Sequence, residues 1–198
     1  METGYRPTNL LLRSSYGAEP APCPAQRTAN RRQLLVSLSG NAETRIAARS
    51  ERAELVDEVA VLTAEEMRSA AAASEAAGRT TVDAGTELSW ATVQSAGDLS
   101  EIGVKIDRCL SSWSDGPRVE ICFDSISALL AEADLPSVFR FLHILMRRIE
   151  AADAVAHYHV DPTRHGRHVI STVEVLFDHV REYDERTGSW TDPPRRRG

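Results

Sequence analysis

The segment Val119-Glu120-Ile121-Cys122-Phe123-Asp124 passes without a break into Ser125-Ile126-Ser127-Ala128-Leu129-Leu130. A short apolar run of strand length is the mark of a strand buried on both faces, and such strands belong to parallel sheets covered by helices on each side. The chain repeats the pattern. Asn9 to Leu12, Gln33 to Ser39, Glu58 to Leu62 and Ala154 to Val160 read as further strands, Thr80 to Asp83 and Leu88 to Val93 as weaker extended segments, and Phe177 to Tyr183 as a last strand. Between them lie stretches with helical periodicity. Leu99, Ile102, Ile106, Cys109, Leu110 and Trp113 recur at three- and four-residue intervals, so 98–113 is predicted to be an amphipathic helix. Pro136 suits a first helical turn and opens 136–152, with Val138, Leu142, Leu145 and Ile149 on one face. Residues 42–54, 64–77 and 168–176 complete the helices, with Thr63 and Glu66 at capping-box spacing before the second of these and Gly78 after it. Strands alternating with helices predict an α/β fold of three layers around a mostly parallel central sheet.

One domain over 8–184 is expected, preceded by a short tail (1–7) and followed by a tail (185–198) whose Asp192-Pro193-Pro194-Arg195-Arg196-Arg197 predicts disorder. Nothing approaches 18 consecutive apolar residues, so no membrane association is expected. The first residues lack the basic and then apolar blocks of a signal peptide. Cys23, Cys109 and Cys122 are odd in number and have no Cys-x-x-Cys spacing, which argues against a disulfide framework and for a reducing cytoplasm. Net charge is −6, carried against 22 arginines and a single lysine. That acidic excess disfavours nucleic acid, whose nonspecific binding depends on cations neutralising phosphate. An acidic, alanine-rich, lysine-poor chain fits a molar-salt cytoplasm, where the Debye length falls to about 3 Å and surface self-repulsion costs little; GC-driven codon bias gives a similar composition.

Asp124 ends its strand where ligands of open α/β sheets bind. Asp124 and Ser125 are therefore candidate cofactor-binding residues, for a nucleotide's magnesium; the alternative is that one of them caps the following helix. A phosphate cradle needs a Gly-rich turn with a lysine beside it. The loop after the first strand reads Arg13-Ser14-Ser15-Tyr16-Gly17-Ala18-Glu19-Pro20-Ala21-Pro22-Cys23-Pro24, with one glycine, three prolines and a glutamate. Proline removes backbone donors and Glu19 repels phosphate. Hydrolysis by the standard route is not expected, no cofactor is expected, and no catalytic residue is assigned. Ser125 lacks the flanking glycines of a nucleophile elbow.

The second constellation is His157-Tyr158-His159-Val160-Asp161-Pro162-Thr163-Arg164-His165. On a strand, His157 and His159 project to one face. With Asp161 (or His165) as a further ligand they form a candidate metal set of nitrogen and oxygen donors; the alternative is a pair of buried, hydrogen-bonded histidines.

Val119 to Leu130, Asp134 to Leu145 and Ala156 to Pro162 together resemble a haloarchaeal family of RecA/KaiC-like domains (HTR-like proteins). The resemblance covers 8–184 in the order of elements and is closest over 118–180. It likens Val119–Asp124 to a Walker B strand, with the family's strand-end aspartate at Asp124 and its His-x-His-x-Asp-Pro at His157, His159, Asp161 and Pro162. It implies a RecA-like fold with a degenerate P-loop, in a regulatory or signalling setting in a halophile's cytoplasm. The expected function is thus a non-catalytic regulatory domain that holds a protein partner, a second copy of itself included. The alternatives are a metal-binding enzyme or sensor built on His157, His159 and Asp161, and nucleotide binding without hydrolysis.

Overall fold

In the computed structural model, residues 8–15, 23, 32–38, 58–64, 79–82 and 86–193 are described. The strands are β1 (Asn9–Arg13), β2 (Arg32–Ser37), β3 (Glu58–Ala64), β4 (Arg79–Val82), β5 (Thr86–Val93), β6 (Val119–Asp124), β7 (Val155–Val160), β8 (His179–Asp184) and β9 (Ser189–Thr191). The described helices are α1 (Leu99–Ser112), α2 (Ile126–Glu132), α3 (Leu135–Ala151) and α4 (Arg167–Glu174), with a 3₁₀ turn at Pro162–Arg164. The strands form one sheet in the order β4-β5-β3-β2-β6-β7-β1-β8-β9. Every pairing is parallel except β4 with β5 and β8 with β9, the antiparallel hairpins that close the two edges. The expected α/β architecture with a mostly parallel sheet is what the chain adopts.

Strand pleating decides which residues meet the helices. On one face Val119, Ile121 and Phe123 of β6, Ala156, Tyr158 and Val160 of β7, and Leu34 and Val36 of β2 join the apolar sides of all four described helices in a single core. Helix α3 contributes Val138, Leu142, Leu145, Met146 and Ile149 to it. Each fully buried side chain of this kind stabilises by about 1.5–3 kcal/mol, so this row alone fixes α3 against the sheet. The Phe123 ring stacks on Tyr158 with centroids 5.5 Å apart and reaches Phe141 at 6.4 Å. The Tyr158 hydroxyl, fully buried, donates to Asn9 Oδ1 at 3.3 Å. The opposite face is buried as well. Leu35, Val61 and Cys122 form a second cluster there, with Cys23, Val59 and Trp90 against it. Both faces of the sheet are covered, as a three-layer fold requires.

The helix ends follow their sequence signals. Asp98 Oδ1 accepts from Glu101 N–H at 2.9 Å to cap α1, and Asp134 Oδ1 accepts from Ser137 N–H at 2.9 Å to cap α3, with Pro136 in the first turn. Two expectations are corrected. Thr63 does not cap a helix: the parallel ladder with β5 continues to Ala64, which keeps Thr63 inside β3, paired with Ser37 and Thr92. The chain also does not leave the sheet at 185. Ser189–Thr191 returns as β9 along β8 through a turn at Gly188 (φ +62°), and Trp190 packs on Tyr183 with centroids 5.1 Å apart. The expected helices at 42–54 and 64–77 lie outside the described residues, apart from Ala64 in β3. No helix among the described residues is long and apolar enough to cross a membrane.

Candidate metal centre

The two central strands β6 and β7 run parallel with Cys122 paired to His157 and Asp124 to His159. Partners in register point to the same side, so Glu120, Cys122, His157 and His159 all face away from the described helices. Cys122, His157 and His159 are 0% exposed. The imidazole rings of His157 and His159 lie edge to face with centroids 5.6 Å apart. Onto this patch comes Cys23, whose Sγ is 3.5 Å from Cys122 Sγ and 3.6 Å from His159 Nε2. One donor atom from each of Cys23, Cys122, His157 and His159 lies within 4.8 Å of all the others.

The two separations from Cys23 Sγ, to Cys122 Sγ and to His159 Nε2, are close to the edges of a coordination tetrahedron. With metal–sulfur bonds of about 2.3 Å and metal–nitrogen bonds of about 2.0–2.1 Å, two thiolates sit about 3.8 Å apart and a thiolate and an imidazole nitrogen about 3.6 Å apart. The observed 3.5 Å and 3.6 Å need only small adjustments. A two-metal cluster would hold the cysteine and histidine pairs further apart, so one ion is what this spacing fits.

The surroundings have the form that metal sites require. His157 Nδ1 lies 3.6 Å from the buried carboxylate of Glu120, just beyond hydrogen-bond reach, and neither ring nitrogen of His157 makes a hydrogen bond among the described residues. In metal sites a carboxylate that accepts from one ring nitrogen sets the tautomer and leaves the other as a lone-pair donor, and Glu120 needs only a small approach to Nδ1 to take that part. A neutral imidazole nitrogen buried without a partner is costly unless a ligand completes it. The Cys23 thiol is held well below the usual thiol range, first by its hydrogen bond with Cys122 and then by His157 and His159, against the opposing effect of burial. A thiolate is the form that binds metal. Cys109, in α1, is pushed up to about 12 by burial and by Glu58, and takes no part in the cluster.

Of the residues singled out in the sequence, His157 and His159 converge and Asp161 does not join them. Asp161 Oδ1 accepts from the Thr163 N–H (2.9 Å) and hydroxyl (2.6 Å), capping the turn that Pro162 opens, while its own N–H donates to Ser127 Oγ at 2.9 Å. His165 is drawn off in the same way, with Nε2 3.0 Å from Ser127 Oγ. The two cysteines supply the remaining donors. Cys122 stood out only as an apolar member of a strand, and its parity with Glu120 along β6 is the signal that places it on the histidine face.

Asp124 ends β6 at 0% exposure, and its carbonyl accepts from Leu38 N–H across to β2. Ser125, not Asp124, is the helix cap: its Oγ accepts from Ala128 N–H at 3.3 Å. The single lysine and the arginine that closes β1 are both paired. Arg13 pairs with Glu174 (3.1 Å) and Glu182 (3.5 Å). Lys105 pairs with Glu101 at 3.2 Å and donates to the Thr92 carbonyl, fastening α1 to β5. Of the loop at 13–24, residues 16–22 and 24 lie outside the described residues.

A family model described as a family of unknown function (DUF7504) matches residues 21–183, a span that includes all four clustered donors and both central strands. No curated protein matches the chain.

Proposed function

We propose that this chain, which belongs to the DUF7504 family of unknown function, is a metal-binding α/β domain that holds one zinc ion through Cys23, Cys122, His157 and His159. The observation that carries the reading is the convergence of four donor atoms within 4.8 Å on a buried sheet face. Two sulfurs and two nitrogens that converge in this way favour zinc over the hard cations magnesium and calcium, which take oxygen ligands. Glu120, 3.6 Å from His157 Nδ1, is the carboxylate that would hold that nitrogen once the ion takes Nε2.

Four protein donors fill the coordination shell of zinc, and a catalytic zinc keeps one position open for water or substrate. The chemistry therefore supports a structural or sensing metal rather than a hydrolytic one. Such an ion would join the two central strands to Cys23 and so contribute its binding free energy to the folded state. Thiolate ligands persist in a reducing compartment, which fits a cytoplasmic protein. A regulatory domain of RecA-like descent that engages a protein partner agrees with this picture. Its sole lysine fastens α1, and Arg13 is held by two carboxylates, so neither is poised for a triphosphate.

The test is metal content. The full chain purified from zinc-replete cells without chelator, in molar KCl, should carry one zinc per chain by mass spectrometry of the digested protein. Cobalt substitution should give the intense visible absorption of a tetrahedral thiolate site. A chain that carries no zinc and takes none up when it is supplied overturns the reading.

A further inference from the structure

Resting on that zinc reading, we propose that the site is a redox-controlled metal gate, in which a hydroperoxide joins Cys23 to Cys122 as a disulfide and releases the ion. The geometry separates the two cysteines by role. Their sulfurs are 3.5 Å apart, nearer than two thiolates on a relaxed tetrahedral zinc. Cys23 is partly exposed, whereas Cys122, His157 and His159 are fully buried. An oxidant arriving from solvent therefore reaches Cys23 first, and Cys122 is the neighbour placed to resolve what forms there. Cys109, in α1, packs against the core on the other side of the sheet, so it does not compete.

The chemistry balances with the hydroperoxide as the only co-reactant. The Cys23 thiolate attacks the peroxide oxygen, the O–O bond breaks, and one hydroxide (or alkoxide) leaves, so Cys23 becomes a sulfenic acid. The Cys122 thiolate then attacks that sulfur, the S–S bond forms, the S–O bond breaks, and a second hydroxide leaves. Two thiolates have given up two electrons, and the peroxide has taken them. Zinc is left with two neutral imidazoles in place of four ligands, and the two negative charges that held it are gone. A dithiol reductant restores both thiolates by exchange, and the site can reload.

The experiment uses the zinc-loaded full chain and its Cys109→Ser variant, titrated with hydrogen peroxide in the presence of a chromogenic zinc indicator. The expected result is one zinc released for each pair of thiols lost, a mass lower by about 2 Da, and a Cys23–Cys122 peptide after digestion. Dithiothreitol with added zinc should reverse all three, and Cys109→Ser should behave as the parent does. Zinc retained at peroxide levels that oxidise thiols overturns the gate while leaving the zinc site standing. So does zinc released with Cys23 as sulfinic acid and no disulfide, or a disulfide that involves Cys109. A parent chain that never loads zinc overturns the site and the gate together, and the initial metal analysis makes that failure distinct.

Discussion

Cys122 and His157 are partners in register across the two central parallel strands, side by side on the sheet face that the described helices leave to other contacts. The adjacent residues on each strand, Ile121 and Phe123 on one and Ala156 and Tyr158 on the other, belong to the main core. The pleat therefore divides one short stretch of sequence between two tasks. Odd positions of β6 hold the fold, and even positions present Glu120, Cys122 and Asp124 to the opposite face. A metal bound there would sit on the least deformable part of the molecule, where strands pair on both sides and burial is complete.

Replacing Cys122 by serine keeps the side-chain volume but supplies a poor zinc donor, so the variant should lose bound zinc. Cys109→Ser should retain a full equivalent, because that thiol lies in α1 against the main core, away from the cluster. Metal analysis of the two purified proteins checks this. A Cys122→Ser chain that holds a full equivalent of zinc removes Cys122 from the ligand set.

Glu120→Gln keeps the shape beside His157 but replaces a carboxylate by an amide at the 3.6 Å contact with Nδ1. Loss of such an outer partner typically weakens a metal about 10–100-fold. Competition against a chelator of known affinity should show a drop of that order, with the tetrahedral cobalt spectrum unchanged in form. A merely structural Glu120 would alter the melting temperature of the metal-free protein and leave zinc affinity as it was.

How far the sequence shows these features depends on the range of the interaction. Most parallel strands announce themselves through their own apolar runs, β5 only weakly, and α1 and α3 through their periodicity, with Pro136 marking the first turn of α3. His157 and His159 are legible as a pair because a strand puts i and i+2 on one side. Cys23 and Cys122 are 99 residues apart, and only the adjacency of β6 and β7 together with the path to Cys23 brings them to the histidines. Asp161 looked equivalent to the histidines by spacing, but the Pro162 turn gives it local N–H and hydroxyl donors that claim its carboxylate. Trp190 is a lone apolar residue in a polar, Pro-rich tail, too weak a pattern to predict β9, yet one indole packed at a tilt on Tyr183 and near His159 accompanies its pairing.

Ser125→Ala tests the reading of the strand-to-helix junction. Removing an N-cap hydroxyl costs about 0.5–2 kcal/mol, so chemical denaturation should show a loss in that range. Adding ATP and magnesium in molar KCl should not shift the unfolding midpoint of either protein. Turnover of ATP by the parent chain, abolished in Asp124→Ala, would overturn the non-hydrolytic assignment outright.

The last prediction concerns acid. His165 contacts Ser127 Oγ at 3.0 Å, and its pKa is lowered by burial and by the Arg164 charge, with Asp161 opposing. The folded protein thus prefers the neutral ring, whereas the unfolded chain takes up a proton at about pH 6.5. Proton uptake by the unfolded state favours unfolding, so the stability this residue supplies is present above that pH and is lost as the pH falls toward the folded value. The parent and a His165→Gln variant differ at this residue alone, so the difference between the two proteins isolates this one ring. Melting temperatures of metal-free parent and variant, taken from about pH 7.5 down to about pH 5, should give a difference that is flat at the upper end and shifts against the parent below about pH 6.5. A difference that stays constant across the whole range would show that the His165 ring titrates alike in the folded and unfolded chain.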